Sequence, residues 1–145
     1  GVNLKGPMYA AKHAIPAMLD TGDGTGVVVN NASIAALIAE PGMDIYTATK
    51  GALVSLTRSI AVEYAPEIRA NTVCPGIVET PMLEAAMESA GDGDVPDTMA
   101  SMIEETPLGI ADPEDIGRAI AFLASDDAAF VTGATIPVDG GYTAQ

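Results

Sequence analysis

Apolar residues recur near the 3.6-residue helical period from about Val2 to Leu19, at Leu4, Met8, Ala11, Ile15 and Met18. Gly6-Pro7 weakens the interior of that run, so the helix proper is expected to begin near Pro7, and Pro16 is expected to kink its end. Thr21-Gly22-Asp23-Gly24-Thr25-Gly26 reads as a turn. Val27-Val28-Val29 is then a short continuous β-branched run, the signature of a strand buried on both faces, ending in Asn30-Asn31-Ala32-Ser33. A loop through Pro41-Gly42 leads to a second helix, about Ile45 to Tyr64, with Leu53, Leu56, Ile60 and Ala61 among its apolar positions. Ile68 to Cys74 forms the next strand, stopped by Pro75-Gly76.

Thr80 is suited to cap a helix with Pro81 at its first position. The methionine-rich segment that follows, to about Ile103, is interrupted by Gly91-Asp92-Gly93-Asp94, expected to be weakly ordered and mobile. Asp112-Pro113-Glu114-Asp115 opens a further helix whose acidic first turn complements the helix dipole, with Ile116, Ala119, Ile120 and Leu123 as its buried face. Thr135-Ile136-Pro137-Val138 is the last strand, followed by Asp139-Gly140-Gly141. Helices and strands thus alternate with short links, the rhythm of a doubly wound parallel α/β sheet, here with only about three strands. Residues 1–145 read as a single domain without repeats or an interdomain linker.

Composition narrows the class. A hydrophobic content of 48% and a mean hydropathy of +0.28 describe a globular chain, and no apolar run is long enough for a membrane span. The net charge of −14 disfavours a phosphate-backbone partner, so no nucleic-acid partner is expected. The acid is concentrated from Asp92 to Asp127, where Arg118 is the one basic residue; a solubilising surface or adaptation to high salt both account for it. The single cysteine, Cys74, excludes an intrachain disulfide framework, suits a reducing cytoplasm, and reads as a small buried filler. One histidine, His13, and no Cys/His/carboxylate cluster at ligand spacing argue against a metal site. Gly1 stands where an initiator methionine is expected, which suggests a fragment or a processed product.

Candidate chemistry starts at Tyr46 and Lys50, which lie one above the other if Asp44 to Leu53 is helical. A phenol of pKa about 10 is a poor acid or base at neutral pH, and a neighbouring cation favours its ionised form. Such a tyrosine can exchange a proton with a substrate hydroxyl. Ligands of open α/β sheets bind outside the carboxyl ends of the strands, which places Ser33 and the Pro75-Gly76 loop at one edge with Tyr46. Alone, each is ordinary: Tyr and Lys share this spacing on many helices, and a serine after a strand is most often a turn residue.

Together they match a family. The order Asn3, Ser33, Tyr46 with Lys50, Pro75-Gly76-Ile77-Val78-Glu79-Thr80 and Val138-Asp139-Gly140-Gly141 resembles the short-chain dehydrogenases/reductases, specifically their compact classical branch of alcohol, sugar and oxoacyl reductases. The resemblance runs from end to end of the chain. It implies the C-terminal part of a Rossmann-like sheet and an NAD- or NADP-dependent exchange of hydride between a secondary alcohol and a ketone. It further implies Tyr46 as general acid/base, Lys50 depressing its pKa and bonding the nicotinamide ribose, and Ser33 orienting the substrate oxygen. Asn3 is implied to hold a water that relays protons from Lys50. Pro75, Gly76, Ile77, Val78 and Thr80 are implied to lie along the nicotinamide and phosphates. The segment from about 80 to 108 resembles the variable substrate lid. A homotetramer or dimer through the helices carrying Asn3 and Tyr46 is implied for a full-length enzyme.

Two departures stand out. Where the family often has a glycine three residues after the serine, this chain has Ala36. The Gly-rich turn that follows the family's first strand and cradles the pyrophosphate is missing, because Gly22 to Gly26 precedes a strand instead of following one. The chain therefore reads either as the catalytic part of a dehydrogenase/reductase or as a truncated, non-catalytic piece that binds no cofactor by itself, with three strands leaving a sheet edge open to pairing.

Overall fold

The computed structural model describes residues 1–39, 41–89 and 97–145, so the Gly91-Asp92-Gly93-Asp94 interruption lies outside the described residues. Its centre is the strand β2 (Ile68–Pro75), flanked by β1 (Gly26–Asn31) and β3 (Thr135–Val138) in one parallel sheet of order β1-β2-β3. Register runs from Gly26 opposite Ile68 to Asn31 opposite Val73, and from Thr72 opposite Thr135 to Pro75 opposite Val138.

Side chains of a strand alternate between its faces, and β2 uses that alternation to hold two different layers. Ile68 and Ala70 point into one cluster with Ile15 of α1 (Val2–Leu19) and with Ile60 and Ala61 of α2 (Asp44–Glu63). Cys74 continues that face against Leu53, Val54 and Ala32. Val73 points the other way, into a cluster with Ile116 and Leu123 of a helix at Pro113–Ala124 and with Ala128. Fully burying one such aliphatic side chain stabilises by roughly 1.5–3 kcal/mol, and Ile68, Val73 and Leu123 are each 0% exposed.

The polar residues of β2 obey the same alternation. Arg69 donates to the carbonyls of Leu123 (2.9 Å), Ser125 (2.9 Å) and Val131 (3.3 Å), placing a cation at the carboxyl end of the Pro113–Ala124 helix. Asn71, fully buried, donates to the Val131 carbonyl at 2.8 Å and accepts from the Ala134 amide at 3.0 Å. These two side chains fix the link that delivers β3. On the opposite face the Thr57 hydroxyl of α2 donates to the Leu53 carbonyl and accepts from Asn30 and Thr72, each at 2.8 Å. One hydroxyl with one donor and two acceptor sites is thereby filled, and it ties α2 to both β1 and β2.

Several sequence expectations change. The first helix begins at Val2, not near Pro7, because the Lys5 amide already bonds the Gly1 carbonyl at 2.9 Å and closes a turn ahead of the proline. It also passes through Pro16 to Leu19. Only the later half of its apolar stripe is covered: Ile15 is buried with Ala11 and Met18 against it, while Met8 is exposed. β1 extends two residues beyond the valine run into Asn30 and Asn31, which pair with Thr72 and Val73. It is half-buried, not buried on both sides, because β2 covers only one of its edges among the described residues.

After β2 the chain forms α3 (Pro81–Ser89), α4 (Asp97–Glu105) and α5 (Pro113–Ala124). Thr80 accepts from the Leu83 amide, capping α3 as its sequence indicated. The Asp112 amide donates to Asp115 Oδ2 at 3.1 Å and so closes the first turn of α5, whose buried residues are Ile116 and Leu123. No helix among the described residues is long and apolar enough to cross a membrane.

Asp139, directly after β3, is buried and accepts from the amides of Gly141 and Thr143 and from the Thr143 hydroxyl. Burial pushes its carboxyl up, but the bonds from Thr143 and Gly141 outweigh it and hold the group below 3.8. Its contribution is therefore fully present above that value and lost as pH falls through the lower folded-state value. Replacing Asp139 with Asn is expected to lower the urea midpoint at pH 7, with the gap to the parent closing below about pH 4; a gap independent of pH contradicts this account. Thr57→Val keeps the shape but leaves Asn30 and Thr72 without their acceptor. It is expected to destabilise the fold by about 1–3 kcal/mol in urea unfolding, with the m value unchanged.

Candidate functional site

The carboxyl ends of β1 and β2 open into a cavity of about 730 Å³. That position follows from parallel strands, whose ends all face the same edge. From the end of β1 come Asn31, Ala32 and Ser33, from the first turns of α2 come Tyr46 and Lys50, and from the end of β2 come Pro75 to Val78 and Thr80. Met82, Leu83, Met99 and Met102 of α3 and α4, with Ile116 and Ile120 of α5, add apolar walls, and Asp44 at the start of α2 adds a carboxylate.

Ser33 is held in extended backbone and caps a single 3-10 turn, Ile34–Ala36, by accepting from the Ala35 amide at 3.2 Å. Accepting that bond leaves its O–H as a donor to a ligand. Tyr46 and Lys50 occupy successive turns of α2, and the Lys50 ammonium lies 5.6 Å from the Tyr46 ring centroid. Such a distance fits a cation–π approach. The ammonium donates to the Asn31 carbonyl at 3.2 Å, which fastens it to the end of β1. Half-burial pushes the Lys50 amine below 10.5, opposed by the neighbouring Cys74. Cys74 is fully buried beneath the site, and burial raises its thiol, so its surroundings are those of a packed core residue.

Gly76 has a packing reason. A Cβ there would lie 2.9 Å from the Cα of Asp139, closer than real contacts allow. The Pro75-Gly76 turn can therefore lie directly on the Asp139 turn, where the Gly76 amide bonds the Val138 carbonyl at 3.2 Å. From there Ile77 and Glu79 bond Ala111 through backbone groups, so the strip along the cavity is pinned at both ends.

Of the residues singled out in the sequence, Ser33, Tyr46, Lys50, Pro75, Gly76, Ile77, Val78 and Thr80 converge on this one cavity. Asn3 lies in a neighbouring exposed cleft, with Gly1, Val2, Ile45, Tyr46 and Thr49, so Ile45 and Tyr46 line both. The stretch from Gly22 to Gly26 links α1 to β1, with Gly22 and Gly24 at positive φ and Asp23 accepting from Thr25, which makes it a turn and not a phosphate loop. The sequence reading missed the Asn31 carbonyl that positions Lys50, since a backbone acceptor has no side-chain signature. It also missed Thr57 and Asn30, whose pairing becomes visible only across 27 residues.

Comparisons with known proteins give consistent results. A family model described as enoyl-(acyl carrier protein) reductase matches residues 1–143. The 2-(R)-hydroxypropyl-CoM dehydrogenase of Xanthobacter autotrophicus is 41% identical over 144 residues, covering 99% of this chain and 55% of the relative. A second protein of that organism, named inactive 2-(S)-hydroxypropyl-CoM dehydrogenase 2, is 43% identical over 145 residues, covering 99% of this chain and 61% of the relative. Among solved structures, the ligand-free aldohexose dehydrogenase of Thermoplasma acidophilum superposes with a TM-score of 0.87 at 37% identity, covering 99% of this chain and 57% of that one. The chain thus spans little more than half the length of the relatives it matches.

The burial of Lys50 has a direct readout. Nitrogen-detected NMR of the Lys50 side chain is expected to show it titrating below 10.5. Titration at or above that value contradicts the desolvation argument.

Proposed function

The chain belongs to the short-chain dehydrogenase/reductase family, and on that premise we propose that it carries the proton-transfer and substrate-facing half of an NAD(P)-dependent oxidoreductase interconverting a secondary alcohol and a ketone. The observation that carries this reading is the convergence of Ser33, Tyr46 and Lys50 on one wall of an apolar cavity at the carboxyl edge of a parallel sheet. A Ser O–H and a Tyr phenol are the donors that a carbonyl oxygen or its alcohol requires, and an apolar surround strengthens both interactions.

The residues present fit the nicotinamide end of such a cofactor. Lys50 offers N–H donors beside the Asn31 carbonyl, and Pro75 to Val78 form a fixed backbone strip with three apolar side chains, Pro75, Ile77 and Val78. Pyrophosphate binding has to come from elsewhere, since the glycine turn between α1 and β1 precedes its strand. When bound, the nicotinamide takes or gives the hydride at the carbinol carbon. In oxidation, Tyr46 takes the hydroxyl proton as the C–O bond becomes double, and Ser33 holds the same oxygen by its O–H. In reduction, Tyr46 returns that proton to the oxygen. Lys50 stabilises the ionised phenol between those steps and orients the ribose. Asn3, reached through the cleft behind Tyr46, would serve the exchange of protons with solvent. Segment 80–108 acts as the substrate lid, a role supported by the four cavity-lining side chains that α3 and α4 contribute. In the complete enzyme, copies associate through α1 and α2, where exposed Val2, Tyr9, Ile45 and Val62 support the contact.

A second reading, a non-catalytic piece, is favoured by the half-buried edge strand β1 and by the inactive relative. NADH and NADPH titrations followed by nicotinamide fluorescence separate the two: saturable binding is expected if the chain is an enzyme as it stands, and its absence sinks that claim. Under the dehydrogenase reading, Tyr46→Phe is expected to lower kcat by at least about a hundredfold with the cofactor Kd nearly unchanged. Retained turnover refutes the acid/base role. Lys50→Ala is expected to weaken turnover and cofactor binding together.

A further inference from the structure

Lys50 is the only cation among the described residues lining the cavity, and it is already bonded to the Asn31 carbonyl and set over the Tyr46 ring. The walls supplied by α3, α4 and α5 are apolar: Met82, Leu83, Met99, Met102, Ile116 and Ile120. The chain that delivers those walls has a one-sided charge. From residue 70 to residue 117 it contains no Lys, Arg or His and eleven Asp and Glu residues, from Glu79 to Asp115.

Resting on the dehydrogenase reading, we infer that the site takes an uncharged, alkyl-substituted secondary alcohol or ketone and rejects substrates that carry a carboxylate, sulfonate or phosphate. Two physical costs act in the same direction. An anion brought against the methionine and isoleucine walls loses its hydration without gaining a partner. Its approach is also opposed by the chain's net charge of −14 and by the Asp44 carboxylate in the lining, which lower its local concentration and its on-rate. An anion pairing with Lys50 draws the ammonium from Asn31 and competes for the side of the cavity where Tyr46 meets the reacting oxygen. Acyl thioesters on phosphopantetheine arms, whose phosphodiester is anionic, fall in the rejected class. The thioethers of Met82, Met99 and Met102 are unbranched and adaptable, so within the neutral class the site accommodates varied alkyl shapes.

Methyl lactate and lactate share the carbinol centre and differ by one charge, which makes them a direct test. Saturation-transfer NMR on the purified chain is expected to give methyl lactate an apparent Kd at least about tenfold lower than lactate. Met82, at the first turn of α3, is 76% exposed, so a larger charged side chain fits there without repacking. Met82→Arg is expected to bring the two ligands to within about threefold by improving lactate binding. Lactate binding as tightly as methyl lactate in the parent chain overturns the inference, as does binding of neither ligand. Turnover with NAD(P) is scored separately. Neutral-selective binding without hydride transfer removes the dehydrogenase reading and leaves the charge selectivity standing. Equal turnover of lactate and methyl lactate does the reverse.

Discussion

The alternation of side chains along β2 is the constraint on which the rest of the structure depends. Its even positions, Ile68, Ala70, Thr72 and Cys74, meet α1 and α2, and its odd positions, Arg69, Asn71 and Val73, meet α5 and the link to β3. A shift of one residue would send Arg69 and Asn71 toward α2 and bring Ile68 and Ala70 to the other face. Neither layer could then be satisfied, since the carbonyls of Leu123, Ser125 and Val131 would lose their donors and the α1–α2 cluster its floor. Register is therefore set by side-chain hydrogen bonding and by apolar packing on both faces.

The site is a consequence of that register. Thr57 locks α2 onto Asn30 and Thr72, and about two and three turns earlier on the same helix stand Lys50 and Tyr46. With α2 pinned, the Lys50 ammonium reaches the last carbonyl of β1, and the phenol lies between the main cavity and the cleft containing Asn3. On the β2 side, the absence of a Cβ at Gly76 allows the chain to rest on the Asp139 turn, so the two C-terminal loops brace each other. A proton-transfer group gains from such support, because a displacement of even one ångström is enough to lose alignment with a reacting oxygen.

The family assignment and the share of the relatives that is covered belong together. This chain holds the loop after β1 that carries Ser33 and the helix α2 that carries Tyr46 and Lys50, and its β1 leaves one edge without a strand among the described residues. A valine run of the kind that suits full burial is only half covered there. The cavity also differs from the surface around it: its lining is mainly apolar, with Lys50 and Asp44 its two charged residues among those described, while the chain as a whole carries a net charge of −14. Identity of fold leaves such features open to vary, which is why substrate preference is argued from the lining and not from the family.

The sequence by itself determined the alternation of elements, because helical and strand periods, Gly-Pro breaks and the Thr80-Pro81 cap are local signals that neighbouring residues read out. It also determined the family, since Ser33, Tyr46, Lys50 and the Pro75-Gly76 loop form an ordered set along the chain. It misplaced the start of α1 and the end of β1, where a Gly1–Lys5 bond and pairing with Thr72 and Val73 override local propensity. Only the tertiary structure decided what holds the site. The Lys50–Asn31 bond, the Asn30–Thr57–Thr72 network, the Arg69 clamp and the contact of Gly76 with Asp139 join residues 15 to 63 positions apart. A hydroxyl or an amide in the sequence names what it can bond, but which partner it meets is set by the packing of helices on both faces of one strand.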